Sequence, residues 1–117
     1  MTQFGTYIRT TREALKAGDR RYTLRQVAAR IGVEPAYLSK IERSEVKPPS
    51  ESTIFKLASE LQLDPDILLA MGGKVSSDLQ CIIRNRPELF AQLIRELKEV
   101  PEHAILRIAR EVRDGNW

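Results

Sequence analysis

The stretch TLRQVAARIGVEPAYLSKIERSEVKPPS, residues 23–50, decides the fold. Counted from Leu24 as position one, Val27, Ile31, Val33, Leu38 and Ile41 stand at four, eight, ten, fifteen and eighteen, with Ala28 at five and Gly32 at nine. Apolar residues recurring at three and four mark one face of a helix, so the spacing predicts a helix over 24–31, capped by Thr23 and broken by Gly32. Pro35 suits the first turn of the next helix, where its missing amide is not needed; that helix runs to about Glu42 or Arg43 with Leu38 and Ile41 inward. A small residue for close approach, a glycine for the turn and two short helices make a helix-turn-helix. Its second helix is left with one polar face: Glu34, Pro35, Ala36, Tyr37, Ser39, Lys40 and Arg43. The major groove of B-DNA, about 12 Å wide, accepts such a helix.

Outward from this pair, the chain reads as helices throughout. No alternating apolar run with hairpin turns occurs, which argues against strands. Residues 3–16 place Phe4, Ile8, Arg12 and Leu15 on one face, with Thr2 as N-cap and Gly18 as terminator. After the proline loop SEVKPPS, Ser50 caps a helix over 51–61 with Ile54, Leu57, Ala58 and Leu61 at helical spacing, and Asp64 with Pro65 opens a fifth that ends at Gly72 and Gly73. Three more helices are expected over 77–83, from Pro87 to about Glu99, and from Pro101 to about Arg113. The fold class is all-α. Residues 1–73 form one domain, and residues 76–117 a helical segment too short to close a core of its own.

Composition bounds the partners. The sequence has 117 residues and a formal net charge of +3. Residues 1–49 hold ten Lys/Arg against five Asp/Glu, whereas residues 50–117 hold nine against eleven, so the excess of positive charge lies with the helix-turn-helix. A basic half faces an anion or is simply a solvated face. The first eighteen residues, MTQFGTYIRTTREALKAG, lack the apolar core of a signal peptide, no apolar run reaches membrane length, and the single cysteine, Cys81, suits a reducing compartment; a cytoplasmic, nucleoid-associated protein is expected. Cys81, between Gln80 and Ile82 on a helix, reads as a small core residue. His103 reads as a first-turn surface residue, and Asp64 and Asp66 as capping and first-turn acids. Neither a phosphate-binding glycine loop nor paired metal-ligand spacing is present, so no enzyme, metal or cofactor is expected.

The combination of TLRQVAARIGVEPAYLSKIER, its proline loop and TIFKLASELQLDPDILL resembles the XRE family of Cro/C1-type bacterial and phage repressors over roughly residues 4–71. The resemblance implies a five-helix lambda-repressor-like DNA-binding domain that acts as a dimer on a palindromic operator. It implies base reading by Glu34, Ala36, Ser39, Lys40 and Arg43. It implies backbone contacts by Thr23, Leu24, Arg25, Tyr37 and Lys47, with Arg20 and Arg21 of the loop AGDRRY within reach of the duplex or serving only solubility. Arg12 and Glu42 would form a structural pair tying the second helix to the scaffold. The chain departs from the pattern at Leu24, where a glutamine is usual, and at Glu34, where a capping serine or threonine is usual; fewer hydrogen bonds to bases shift the burden to Lys40, Arg43 and DNA shape.

The C-terminal segment carries Leu89, Phe90, Leu93, Ile94 and Leu97, then Ile105, Ile108 and Val112. Either they form a seam between two copies or they pack on their own domain; dimerisation is the preferred reading. Trp117 either frays or docks on that seam. The tail also resembles small repressors of anti-phage or mobile-element operons, CapH-like and ImmR-like, some relieved by a metallopeptidase of the ImmA/IrrE type, which implies cleavage near VPEH or GGKVSS. An antitoxin that binds its toxin through the same helices is the alternative, and an interaction module indifferent to DNA the third.

Overall fold

A computed structural model describes residues 3–115 and residue 117; the expected cap at Thr2 lies outside them. The helices are α1 (Gln3–Lys16), α2 (Leu24–Ile31), α3 (Pro35–Glu42), α4 (Glu51–Leu61), α5 (Pro65–Met71), α6 (Ser77–Asn85), α7 (Pro87–Leu97) and α8 (Glu102–Asp114), with a 3-10 turn at Arg20–Tyr22. Among the described residues there is no strand, and the fold is all-α. The chain divides into two compact units, Met1–Ser76 and Ser77–Trp117.

The first unit is built around α2 and α3. The Thr23 side chain accepts from the Gln26 amide at the start of α2, and Gly32 ends it in the left-handed region, φ +77°, which glycine adopts without steric cost. The extended Glu34 and Pro35 then start α3. Ser50 and Asp64 cap α4 and α5 through the amides of Thr53, Asp66 and Ile67. The inward faces meet in one core of Phe4, Ile8, Val27, Ala28, Ile31, Leu38, Ile41, Ile54, Leu57, Ala58, Leu61, Leu68 and Leu69. Leu15, Leu24 and Val33 pack at its edge, only partly buried.

Gly5 shows how tightly α1 meets α3. A Cβ there would fall on the Ile41 carbonyl oxygen and 2.8 Å from that of Glu42. Both obstacles are backbone at the end of α3, so neither can swing aside. Gly5→Ala is therefore expected to lower the unfolding free energy by about 1–3 kcal/mol, the range for overpacking, in urea denaturation; an unchanged midpoint would show that α1 has room to move. A glycine inside a helical pattern costs stability and hints at such an approach, and that hint was available in QFGTYIRT.

Several sequence expectations are corrected. Helix α1 ends at Lys16, just before Gly18 as expected, but without a left-handed glycine: positive φ among the described glycines belongs to Gly32 and Gly73, and α1 closes through amides of Ala17 and Gly18 donating to Glu13 and Leu15 carbonyls. The loop AGDRRY contains the 3-10 turn, because the Asp19 carboxylate accepts from the Arg21 amide. Helix α6 runs two residues beyond Ile83, and α7 stops two short of Glu99.

In the second unit, none of α6, α7 or α8 has a buried residue. Leu89, Leu93, Ile94, Ile105, Ile108 and Val112 are exposed, and Phe90 and Leu97 half-buried. Cys81 is exposed rather than a core residue, with an Arg84 Nη2 contact to Sγ at 3.2 Å. The apolar stripe of α6, Leu79, Ile82 and Ile83, leaves Cys81 to one side. Trp117 is also exposed.

Candidate nucleic-acid interface

The outward face of α3 follows from its inward one. With Leu38, Ile41 and Glu42 buried, Glu34, Ala36, Tyr37, Lys40 and Arg43 are exposed, and Pro35 and Ser39 partly so. Glu34 makes no side-chain cap, so its carboxylate stands at the positive end of α3 without bonding that helix's first amides. Leu24, the first residue of α2, lines a shallow cleft with Ser39 of α3, Arg43 just after it and Arg9 of α1. The start of α2 and the polar face of α3 thus share one surface.

What holds α3 there is a buried ion pair. Arg12 donates from Nε to Glu42 Oε2 at 2.7 Å and from Nη2 to Glu42 Oε1 at 3.0 Å, while its Nη1 donates to the Tyr22 carbonyl at 3.2 Å. Both residues are 6% exposed. The hydrogen bonds to Glu42 outweigh burial and hold the Arg12 guanidinium above its ordinary pKa. One arginine of α1 therefore grips the end of α3 and the turn before α2 together.

A second clasp escaped sequence reading. Arg30 of α2 donates to Glu60 of α4 and to the Arg21 carbonyl, its guanidinium lies 5.5 Å from the Tyr22 ring centroid, and Gln62 donates to the Tyr22 hydroxyl at 3.3 Å. Tyr22 is held by Arg12 on its carbonyl and by Arg30 and Gln62 on its side chain. Partners thirty and forty residues apart leave no periodic signal.

The structure sorts the candidate contact residues by charge partner. Arg21 is closed onto Asp19, with Nη2–Oδ2 at 2.7 Å, and this pairing holds the Asp19 carboxyl below the usual range. Arg43 is paired with Glu45, and Arg9 with Glu13. Arg20, Arg25, Lys40 and Lys47 are exposed and have no acidic partner among the described residues. Those four are free to neutralise phosphates; Arg21 and Arg43 must first leave an acid. Among the described residues no group of three or more His, Cys, Asp or Glu could hold a metal ion, and no helix is long and apolar enough to cross a membrane.

Residues 12–68 match the family described as "Helix-turn-helix", and with the geometry above they constitute a helix-turn-helix domain at the N-terminal end of an all-α fold. Over 77 residues the chain is 34% identical to the uncharacterized HTH-type transcriptional regulator RghRB of Bacillus subtilis (strain 168), covering 66% of this chain and 52% of that protein. The chain spans about half the length of this curated relative. No solved structure matches the present chain significantly.

Proposed function

We propose that this protein is a sequence-specific DNA-binding transcriptional regulator, acting as a homodimer on a palindromic operator and repressing its own or an adjacent operon. The observation that carries the reading is the exposed face of α3, docked through the buried Arg12–Glu42 pair, beside the start of α2. In this reading Glu34, Ala36, Ser39, Lys40 and Arg43 face base edges, and Thr23, Leu24, Arg25, Tyr37 and Lys47, with Arg20, face the backbone. The likeness to a protein named as a transcriptional regulator supports it. One helix in one groove reads few bases, so two copies on half-sites about 34 Å apart supply the specificity.

Fluorescence anisotropy against a duplex from upstream of its own gene and a scrambled duplex, at two salt concentrations, tests this. At least a tenfold preference for the upstream duplex is expected. Lys40→Ala should weaken that binding by about 1–3 kcal/mol, the worth of a good base contact, with the unfolding midpoint unchanged because Lys40 is exposed. Equal, salt-sensitive binding to both duplexes would reduce the site to a basic surface and overturn the reading. Co-purification with the product of a neighbouring gene, lost on truncating α7 and α8, would move it to the antitoxin class.

A further inference from the structure

Arg9 stands outside the matched residues 12–68, on α1 rather than in the helix-turn-helix. Gly5, Arg9 and Arg12 follow one another at four and three residues, so they share one stripe of α1. Gly5 lies against the carbonyls of Ile41 and Glu42, and Arg12 holds the Glu42 carboxylate, so this is the stripe that meets the end of α3. Between them Arg9 comes out at the surface, in the cleft it lines with Leu24, Ser39 and Arg43. Its Nε donates to Glu13 Oε1 at 3.0 Å, an exposed pair one turn apart on α1. That bond uses one of the five guanidinium N–H groups. Both Nη groups are left without a partner among the described residues, so Arg9 can keep Glu13 and still reach for a second anion.

We propose that Arg9 is a further DNA-backbone residue, whose Nη groups neutralise one phosphate at the edge of the groove that α3 enters. The inference rests on the DNA-binding reading above. A helix about 10–12 Å across fills a major groove about 12 Å wide. Whatever stands beside α3 therefore meets the walls of the groove, which are sugar and phosphate. The acids that line the cleft are already engaged, Glu42 by Arg12 and Glu13 by Arg9. The Leu24 side chain has no donor to offer, and Arg43 is directed to base edges in the reading above. That leaves Arg9 as the cation of this cleft for the backbone. A guanidinium meets a phosphate with two parallel N–H bonds, and such a contact adds affinity without reading sequence.

Arg9→Gln removes the charge. Titrated against the upstream and scrambled duplexes across a salt series, the full chain carrying it should bind both about fivefold more weakly per bound protomer at about 0.15 M salt. Its log K against log salt should flatten by about 0.9 per protomer, the signature of one lost phosphate contact. The preference between the two duplexes should stay that of the wild type, and the unfolding midpoint should barely move, because an exposed pair contributes little to stability. Arg9→Lys, which keeps the charge, should keep the slope. Arg9→Gln also bares the Glu13 carboxylate, which repels DNA by itself, so the change is repeated in a Glu13→Gln background, where the same loss relative to Glu13→Gln alone is expected. An unchanged slope, a loss confined to the upstream duplex, or a double variant that binds like Glu13→Gln alone would each overturn the proposal while the DNA-binding reading stands. Equal binding of both duplexes by the wild type would remove the sequence-specific reading, and the Arg9→Gln slope would still decide this proposal. A wild-type protein that binds neither duplex would overturn both.

Discussion

Glu42→Ala is expected to lower the unfolding free energy of the N-terminal unit by about 3–5 kcal/mol. The reason is what remains. Arg12 would keep its charge, since guanidinium groups do not deprotonate in proteins, and it lies 6% exposed with only the Tyr22 carbonyl still accepting from it. At about 4–8 °C per kcal/mol for a unit of this size, the thermal midpoint should fall by more than about 12 °C. Removing both partners is a different experiment. Arg12→Met with Glu42→Leu leaves no unpaired charge and should recover most of the loss, less about 1–3 kcal/mol for the Tyr22 carbonyl, which loses its donor. The recovered protein should still bind its duplex less well, because the pair fixes α3 against α1. Circular dichroism melts of the single and double variants decide the matter: a single variant within 1 kcal/mol of wild type, as an order-of-magnitude bound for a weak surface pair, would mean that the buried pair is not what holds α3.

The contrast between that pair and the rest of the site explains what a sequence discloses. Elements α2 and α3 were legible residue by residue, since their limits rest on local chemistry: a threonine cap, a left-handed glycine and a proline in the first turn. The exposed face of α3 followed by subtraction, once Leu38 and Ile41 were placed inward. Partners distant in the chain were not legible. Arg30 with Glu60 and Tyr22 with Gln62 are thirty and forty residues apart and meet only because α2 packs on α4. Arg43 and Glu45 are two apart, yet their meeting depends on the left-handed Ser44, a conformation that a serine does not announce. Cys81 reads as a core residue by its size and low polarity alone, whereas it is exposed and the stripe of α6 passes beside it.

Leu93→Asp is the other change with a large expected effect, this time on assembly. Leu93 lies mid-way along α7, 42% exposed, between Leu89 at 66% and Ile94 at 56%; Ile105, Ile108 and Val112 leave α8 open to a similar degree. About forty residues with three amphipathic helices and no buried side chain cannot offset the entropy of ordering themselves. Their apolar faces gain about 25 cal/mol for each Å² that a second copy removes from water, and a carboxylate set in the middle of such a seam must be stripped of water with no partner. Sedimentation equilibrium should therefore find wild-type protein at twice the mass of one chain and Leu93→Asp at the single-chain mass. Binding to the upstream duplex should weaken about a hundredfold or more, the lower range for losing a linked second site. The Arg12–Glu42 pair and the core of the first unit do not include Leu93, so the melting transition of that unit should persist. Leu93→Ala, which removes contact without adding charge, should weaken the dimer and leave its mass intact at high concentration. A wild-type protein that sediments as one chain at tens of micromolar, or a Leu93→Asp variant that keeps both double mass and DNA affinity, would remove self-association from the reading and leave the faces of α7 and α8 for a different protein.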